Sequence, residues 1–232
     1  MTNPILPLLW REYKTFIADI RRLAHMLMVP TLYVLLFAVG LSSFFGSIEY
    51  RGRVVSYIVF LIPGLIVSTI YLPFGMTLSM LRLDILSGFL SVIIVSKARF
   101  RHYFIAKALF SVGHSLLVAF YLLLLSWIIT GYSPPGIICY LVMSFGVSLS
   151  SFFWSLLGFT LGCIVKGERE RDILTTLVTV PITFLSSAYY DLQKTPHWFR
   201  AIGSLNPLTF GADIIRTCLL YTSDAADDGE SV

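Results

Sequence analysis

Five apolar runs, at residues 26–45, 54–81, 104–130, 137–165 and 173–190, limit this chain's fold more than any motif in it. Crossing a bilayer core takes about 20 helical residues. Backbone within that core must satisfy its own hydrogen bonds, which leaves helices or closed barrels. Composition agrees with the helical choice. Of the 232 residues, 56% are hydrophobic and 13% charged, about half the charged share of a soluble domain. Too little polar surface remains to cover a soluble fold. The expected fold class is an all-α membrane protein with five transmembrane helices.

The chain begins with a different pattern. Leu6, Leu9, Trp10, Tyr13, Phe16, Ile17, Ile20 and Leu23 recur at steps of three and four, marking one face of a helix. Arg11, Glu12, Lys14, Thr15, Asp19, Arg21 and Arg22 occupy the other face. A basic amphipathic helix of this kind lies in the headgroup plane, in contact with membrane lipids. It is not a signal peptide, because the charged lead is long and no small-residue cleavage site follows. Between the first two runs a short polar turn holds Glu49, Arg51 and Arg53. Pro63-Gly64 and Pro73-x-Gly75 interrupt the second run, where kinks are expected.

The largest basic interruption is Arg82 to Lys107. It holds five of the 17 Lys and Arg residues (Arg82, Lys97, Arg99, Arg101, Lys107) against one acid, Asp84. Its middle, residues 89–95, is too short to span but has the spacing of a short helix. Either it connects two spans and fixes topology, or it is the place where a partner pushes on them. The leader, this loop and the charged loop at 166–172 together carry twelve Lys and Arg. The opposite side carries Arg51, Arg53, Lys194 and Arg200, with Arg216 unassigned. By the positive-inside bias the amino terminus and the central loop face the cytoplasm.

Residues 191–221 mix Lys194, His197, Trp198, Arg200, Asp213 and Arg216 with apolar neighbours. An outer interfacial or re-entrant hairpin is expected there, with Trp198 at headgroup depth. Asn206-Pro207 should start a short helix. Residues 222–232 turn acidic. Residues 218–228 (CLLYTSDAADD) look like translated adapter read-through. The expected organisation is therefore a membrane domain over 1–221, incomplete at its carboxyl end, and a non-native tail over 222–232.

Several chemistries are missing from the sequence. There is no G-x-x-x-x-G-K-[ST], so no P-loop for ATP phosphates, and no H-E-x-x-H or G-x-S-x-G. No His/Cys spacing points to a metal, and nothing suggests nucleic acid, since the cations flank spans. Cys139, Cys163 and Cys218 read as small packing residues, and His114 as a packed histidine or a proton relay. No Asp or Glu falls mid-span, which removes the usual mark of ion-coupled carriers and places the energy source outside the spans. Two small-residue stripes remain. Ser144, Ser148, Ser151, Ser155, Gly158 and Gly162 recur along the fourth run, and Thr176, Thr179, Thr183 and Ser186 along the fifth. Each suits either helix packing or the lining of a substrate path.

Residues 205–216 (LNPLTFGADIIR) resemble the L-N-P-[LI]-x-[YF]-x(5)-R element of ABC export permeases of the second type, a family of drug, polysaccharide and lipid exporters. Residues 195–199 (TPHWF) are similar to that family's L-P-x-W-[LF] step, with Thr195 replacing leucine. Residues 60–66 (FLIPGLI) resemble its F-[LIV]-x-P-G-[LI] opening. The central loop is similar to the family's coupling segment at Gly88, Phe89, Ile93 and Ser96. There Ser87, Ser91 and Lys97 stand where the family has two acids and a proline.

Over residues 5–216 the resemblance implies six spans, the last missing here, and an outer re-entrant hairpin. It also implies a dimer of permease copies and separate cytoplasmic ABC ATPases that hold ATP and Mg, with no cofactor on this chain. Leu83, Leu86, Gly88, Phe89, Leu90, Ile93 and Lys97 are the expected coupling residues. Thr176, Thr179, Thr183 and Ser186 are the candidate path lining. Trp198, Asn206, Pro207 and Arg216 shape the outer hairpin. No catalytic residue is expected. The reading is a multi-pass exporter subunit of the bacterial inner membrane, amino terminus inside. Its rivals are a secondary carrier or channel and a membrane-embedded enzyme. The transported substrate is not legible.

Overall fold

Pro4 precedes the first helix, where a missing amide donor costs least, and α1 runs Ile5–Ala18. The computed structural model describes residues 4–40, 44, 46–50, 53–96, 99–131, 136–165 and 167–221. Lys97, Arg51 and the tail 222–232 lie outside them. Asp19 leaves helical geometry and its carboxylate accepts the Arg21 amide at 3.1 Å, so the leader breaks there and α2 follows at Ile20–Tyr33. Wider π-helical turns continue over Val34–Gly40. Within the expected first span, the described residues 26–40 thus change winding part-way.

The polar turn expected near Glu49 is an antiparallel hairpin of β1 (Ser47–Tyr50) and β2 (Arg53–Ser56). Ser47, Ile48, Glu49 and Tyr50 alternate polar and apolar, and Val54-Val55 are β-branched, which favours a pleated ribbon. The described fold is therefore mostly helical but not purely so.

Among the described residues three helical stretches are long and apolar enough to cross a membrane: Tyr57–Leu86, Phe100–Ile129 and Ile137–Ile164. The first is two helices, α3 (Tyr57–Ser68) and α4 (Leu72–Leu86). Pro63 sits inside α3, whereas Pro73 lies in the first turn of α4 and starts it instead of kinking it. A short helix α5 (Phe89–Val95) follows, then α6 (Phe100–Thr130), α7 (Ile137–Ile164) and α8 (Glu168–Phe184). A 3₁₀ turn (Leu192–Lys194), α9 (His197–Ser204) and α10 (Pro207–Tyr221) complete the order. Asn206 Oδ1 accepts the Leu208 amide at 3.0 Å, which caps α10 as its Asn-Pro start requires.

The chain forms two compact units. The first gathers residues 1–25, 70–117 and 147–179. At its centre Leu81, Ile93, Tyr103 and Phe159 pack with Leu8, Phe89, Leu90 and Phe104. Gly158 and Gly162 settle their stripe as packing: a Cβ on Gly158 would stand 2.3 Å from the Phe74 carbonyl oxygen, and one on Gly162 would meet Leu81 at 3.1 Å. Ser155 joins the same contact, its hydroxyl 2.8 Å from that of Thr77.

The second unit gathers residues 26–69, 118–146 and 180–232. Helix α8 stops at Phe184, so the last six residues of the expected fifth span form a loop, in which Ser186, Ser187, Ala188 and Tyr189 are buried. Buried loop backbone needs partners, and side chains provide them. Thr209 Oγ1 accepts the Ser187 amide at 3.1 Å, and Asn206 Nδ2 donates to the Ile182 carbonyl at 2.6 Å. Arg216 donates to the Ser187 and Ala188 carbonyls at 2.5 and 3.0 Å.

Candidate coupling site

Leu8, Glu12 and Phe16 share one stripe of α1, spaced by one turn. Glu12 and Phe16 are buried, whereas Leu6, Trp10, Tyr13 and Ile17 are exposed. The leader thus turns an acid inward and leaves aromatic residues outside, the reverse of Glu12's expected place on the watery face. Asp84 does the same at the end of α4, where it follows Thr77 and Leu81 on the buried stripe. Lys107, counted above as a loop cation, lies one turn beyond Tyr103 in α6 and is also buried.

These side chains close a ring. Arg11 Nη2 meets Asp84 Oδ1 at 2.6 Å, and Lys107 Nζ meets Asp84 Oδ2 at 2.6 Å. Lys107 Nζ donates to Glu12 Oε1 at 3.0 Å, and Arg11 Nη1 donates to the same oxygen at 2.8 Å. Tyr103 adds its hydroxyl to Asp84 Oδ2 at 2.7 Å. Two cations and two carboxylates make the ring neutral, the condition under which buried charge is tolerated. Burial opposes the charge on Arg11, yet the hydrogen bond and charge of Asp84, then the charge of Glu12, hold its pKa above the ordinary arginine value. Arg11 therefore stays cationic at any working pH.

The ring stands beside the break in the chain that separates α4 from α5. Gly88 takes φ +73°, the left-handed region that a side chain disfavours, and turns the backbone into α5. The short helix predicted over residues 89–95 has those bounds. Its two faces are unlike. Ile93 is buried in the core of the first unit, while Phe89 and Leu90 are half-buried against it. The outward residues are Val92, Ile94 and Val95, at 61%, 73% and 88% exposure. Leu83 and Leu86 are exposed, and Lys97 lies outside the described residues.

The remaining expected residues separate. Along the fifth-run stripe, Thr176 is exposed and Thr179 half-buried in the first unit, while Thr183 and Ser186 are buried in the second. The four do not present one open face. Trp198 is exposed at 61% on α9. Arg216, expected to shape the outer hairpin, is 1% exposed. Its Nε donates to the Phe60 carbonyl at 3.1 Å, and its guanidinium lies 3.9 Å from the centre of the Phe60 ring.

Sequence reasoning missed Glu12, Asp84, Tyr103 and Lys107 as a set. A signal was present: both acids sit one turn from apolar residues of the buried stripe, Glu12 between Leu8 and Phe16, Asp84 after Met80 and Leu81.

The profile of the ABC-2 type transporter family matches residues 5–220. The chain belongs to that family. A protein of Cyanophora paradoxa named for a transport permease, ycf38, is 22% identical over 196 residues, covering 84% of this chain and 66% of the relative. The chain thus spans slightly under two thirds of that relative's length. No solved structure matches it. The ring and α5 are therefore features of an ABC-2 family membrane domain.

Proposed function

We propose that this ABC-2 permease is the transmembrane subunit of an ATP-driven exporter, powered by a separate cytoplasmic ABC ATPase that docks on α5. One observation carries the reading: α5 is fixed to the spans by its inner face and bares Val92, Ile94 and Val95 on its outer face. A mere connector has no use for an exposed apolar helix locked to two spans at its base. On this reading the amino terminus and α5 face the cytoplasm of an inner membrane, consistent with the distribution of basic residues. Five spans, with α9 and α10 as an outer hairpin and Trp198 at the headgroups, complete the topology. A second permease copy forms the other half, and Thr176 and Thr179, the less buried members of the fifth-run stripe, line a path. Drugs, lipids and glycans all fit such a lining.

The rival reading, a self-powered carrier, places no partner on α5. Val92→Asp combined with Val95→Asp separates the two. Both side chains are exposed, so the fold tolerates the change, and stimulation of the ATPase by permease in nanodiscs should drop at least tenfold. Full stimulation in the double variant returns α5 to the role of connector. Phe89 and Ile93 are unsuitable for this test, because charge at Ile93 would disrupt the core of the first unit.

A further inference from the structure

Arg11 has three engagements. Nη1 reaches Glu12, Nη2 reaches Asp84, and the flat face of the guanidinium stands 3.5 Å from the centre of the Phe89 ring. Phe89 is the first residue of α5, directly after the Gly88 turn. Glu12, Asp84 and Lys107 have side chains between 1% and 7% exposed, whereas that of Arg11 is 33% exposed. Arg11 is therefore the charged member of the ring that reaches the short helix, beside Tyr103, which packs on Ile93.

The Gly88 break is a soft joint, since glycine accepts the left-handed region, and across it α5 is held to the spans by the apolar contacts of Ile93, Phe89 and Leu90. The Arg11 face closes that joint from the other side. A flat cation on an aromatic face resists both separation and sliding, and its two forks are held by carboxylates on α1 and α4. The ring then ties α1 to α6 through Lys107.

We propose that Arg11 is a positioning residue of the permease: it clips the leader helix α1 to α5, so that displacement of α5 is handed to α1 and the ring instead of being lost at Gly88. This rests on the reading of α5 as the ATPase docking helix. Lysine cannot replace arginine in this role. It keeps the charge and one carboxylate contact but lacks the planar fork and face.

The test is Arg11→Lys in the reconstituted complex of permease and ATPase, with three readouts: thermal midpoint of the permease, ATPase affinity, and stimulation of ATP hydrolysis by the permease. The expected result is a midpoint and affinity close to wild type and stimulation reduced about fivefold, the scale of a lost cation–π contact. Phe89→Leu should give the same loss, and the double variant no more than either alone, as two parts of one contact require. Arg11→Lys with full stimulation, losses that add, or a stimulation loss matched by a drop in midpoint would each overturn the clip and leave the ring a staple. If wild-type permease neither binds nor stimulates an ATPase, the docking reading fails and the clip with it. Normal wild-type stimulation with unaffected variants sinks the clip alone.

Discussion

Lys107 and Arg216 are each about 1% exposed in their side chains, and the chain neutralises them in opposite ways. Lys107 faces two carboxylates, Glu12 and Asp84, both almost fully buried. Arg216 faces backbone: the carbonyls of Phe60, Ser187 and Ala188, with the Ser187 hydroxyl and Asp213 at 3.3 and 3.4 Å. Asp213 is 37% exposed in its side chain, so water shares its charge. The first arrangement depends on formal charge from three helices. The second depends on the course of the backbone, because oriented carbonyl dipoles do the work of an acid. A charge ring ties together elements that carry side chains to a common point, and a carbonyl cage orders a loop that has no helix to satisfy it.

Removing the cation from each site should break the comparison most clearly. Lys107→Met leaves Glu12 and Asp84 sharing only the partly exposed Arg11, and breaking a buried ion pair costs about 3–5 kcal/mol. Thermal or denaturant unfolding in detergent measures it, and adding Glu12→Gln should recover part of the loss by restoring neutrality. Recovery of nothing would mean that the ring acts by shape and not by charge.

Arg216→Met is the matching change in the carbonyl cage. It leaves several buried carbonyls without a donor, at about 1–3 kcal/mol for the set that water cannot reach. Here no neutralising second substitution should help, since no buried acid is left behind. Limited proteolysis within residues 185–191 should increase, because the loop has lost what orders it. Unchanged cleavage would show that Asn206 and Thr209 hold the loop alone.

The smallest effect sharpens the backbone side of the comparison. A Cβ on Gly64 would lie 1.8 Å from the Ala188 carbonyl oxygen, the same carbonyl that accepts from Arg216. Gly64→Ala must push that carbonyl away, with an overpacking cost of about 1–3 kcal/mol. Combined with Arg216→Met the two losses should fall short of additive, as neighbours sharing one group do. Full additivity would separate the glycine contact from the cage.

How much of this was legible beforehand differs by element. The bounds of α5 were readable because Gly88 and the polar residues around it punctuate a short apolar run. The start of α10 was readable because Asn206-Pro207 supplies both a cap and a fixed φ. The hairpin at Ser47–Ser56 was not, since ten residues with two arginines read equally as a polar turn. The loop after Phe184 was not, since Leu185 to Tyr190 is apolar enough to continue a helix, and only distant side chains make leaving it affordable.

Hydropathy, charge placement and motif order by themselves determined the class of protein, three helical stretches long and apolar enough to cross a membrane, the short helix between two of them and the family. Those are local properties: a run of apolar side chains dictates its own solvent, and a glycine its own turn. Tertiary structure decided which charges are buried and with whom. Glu12, Asp84 and Lys107 are ordinary polar residues until α1, α4 and α6 bring them within 3.0 Å, and Arg216 is an ordinary surface cation until the 185–191 loop turns two carbonyls toward it and α3 a third, that of Phe60. The energy of a buried charge depends on partners far away in sequence, so no window along the chain contains it.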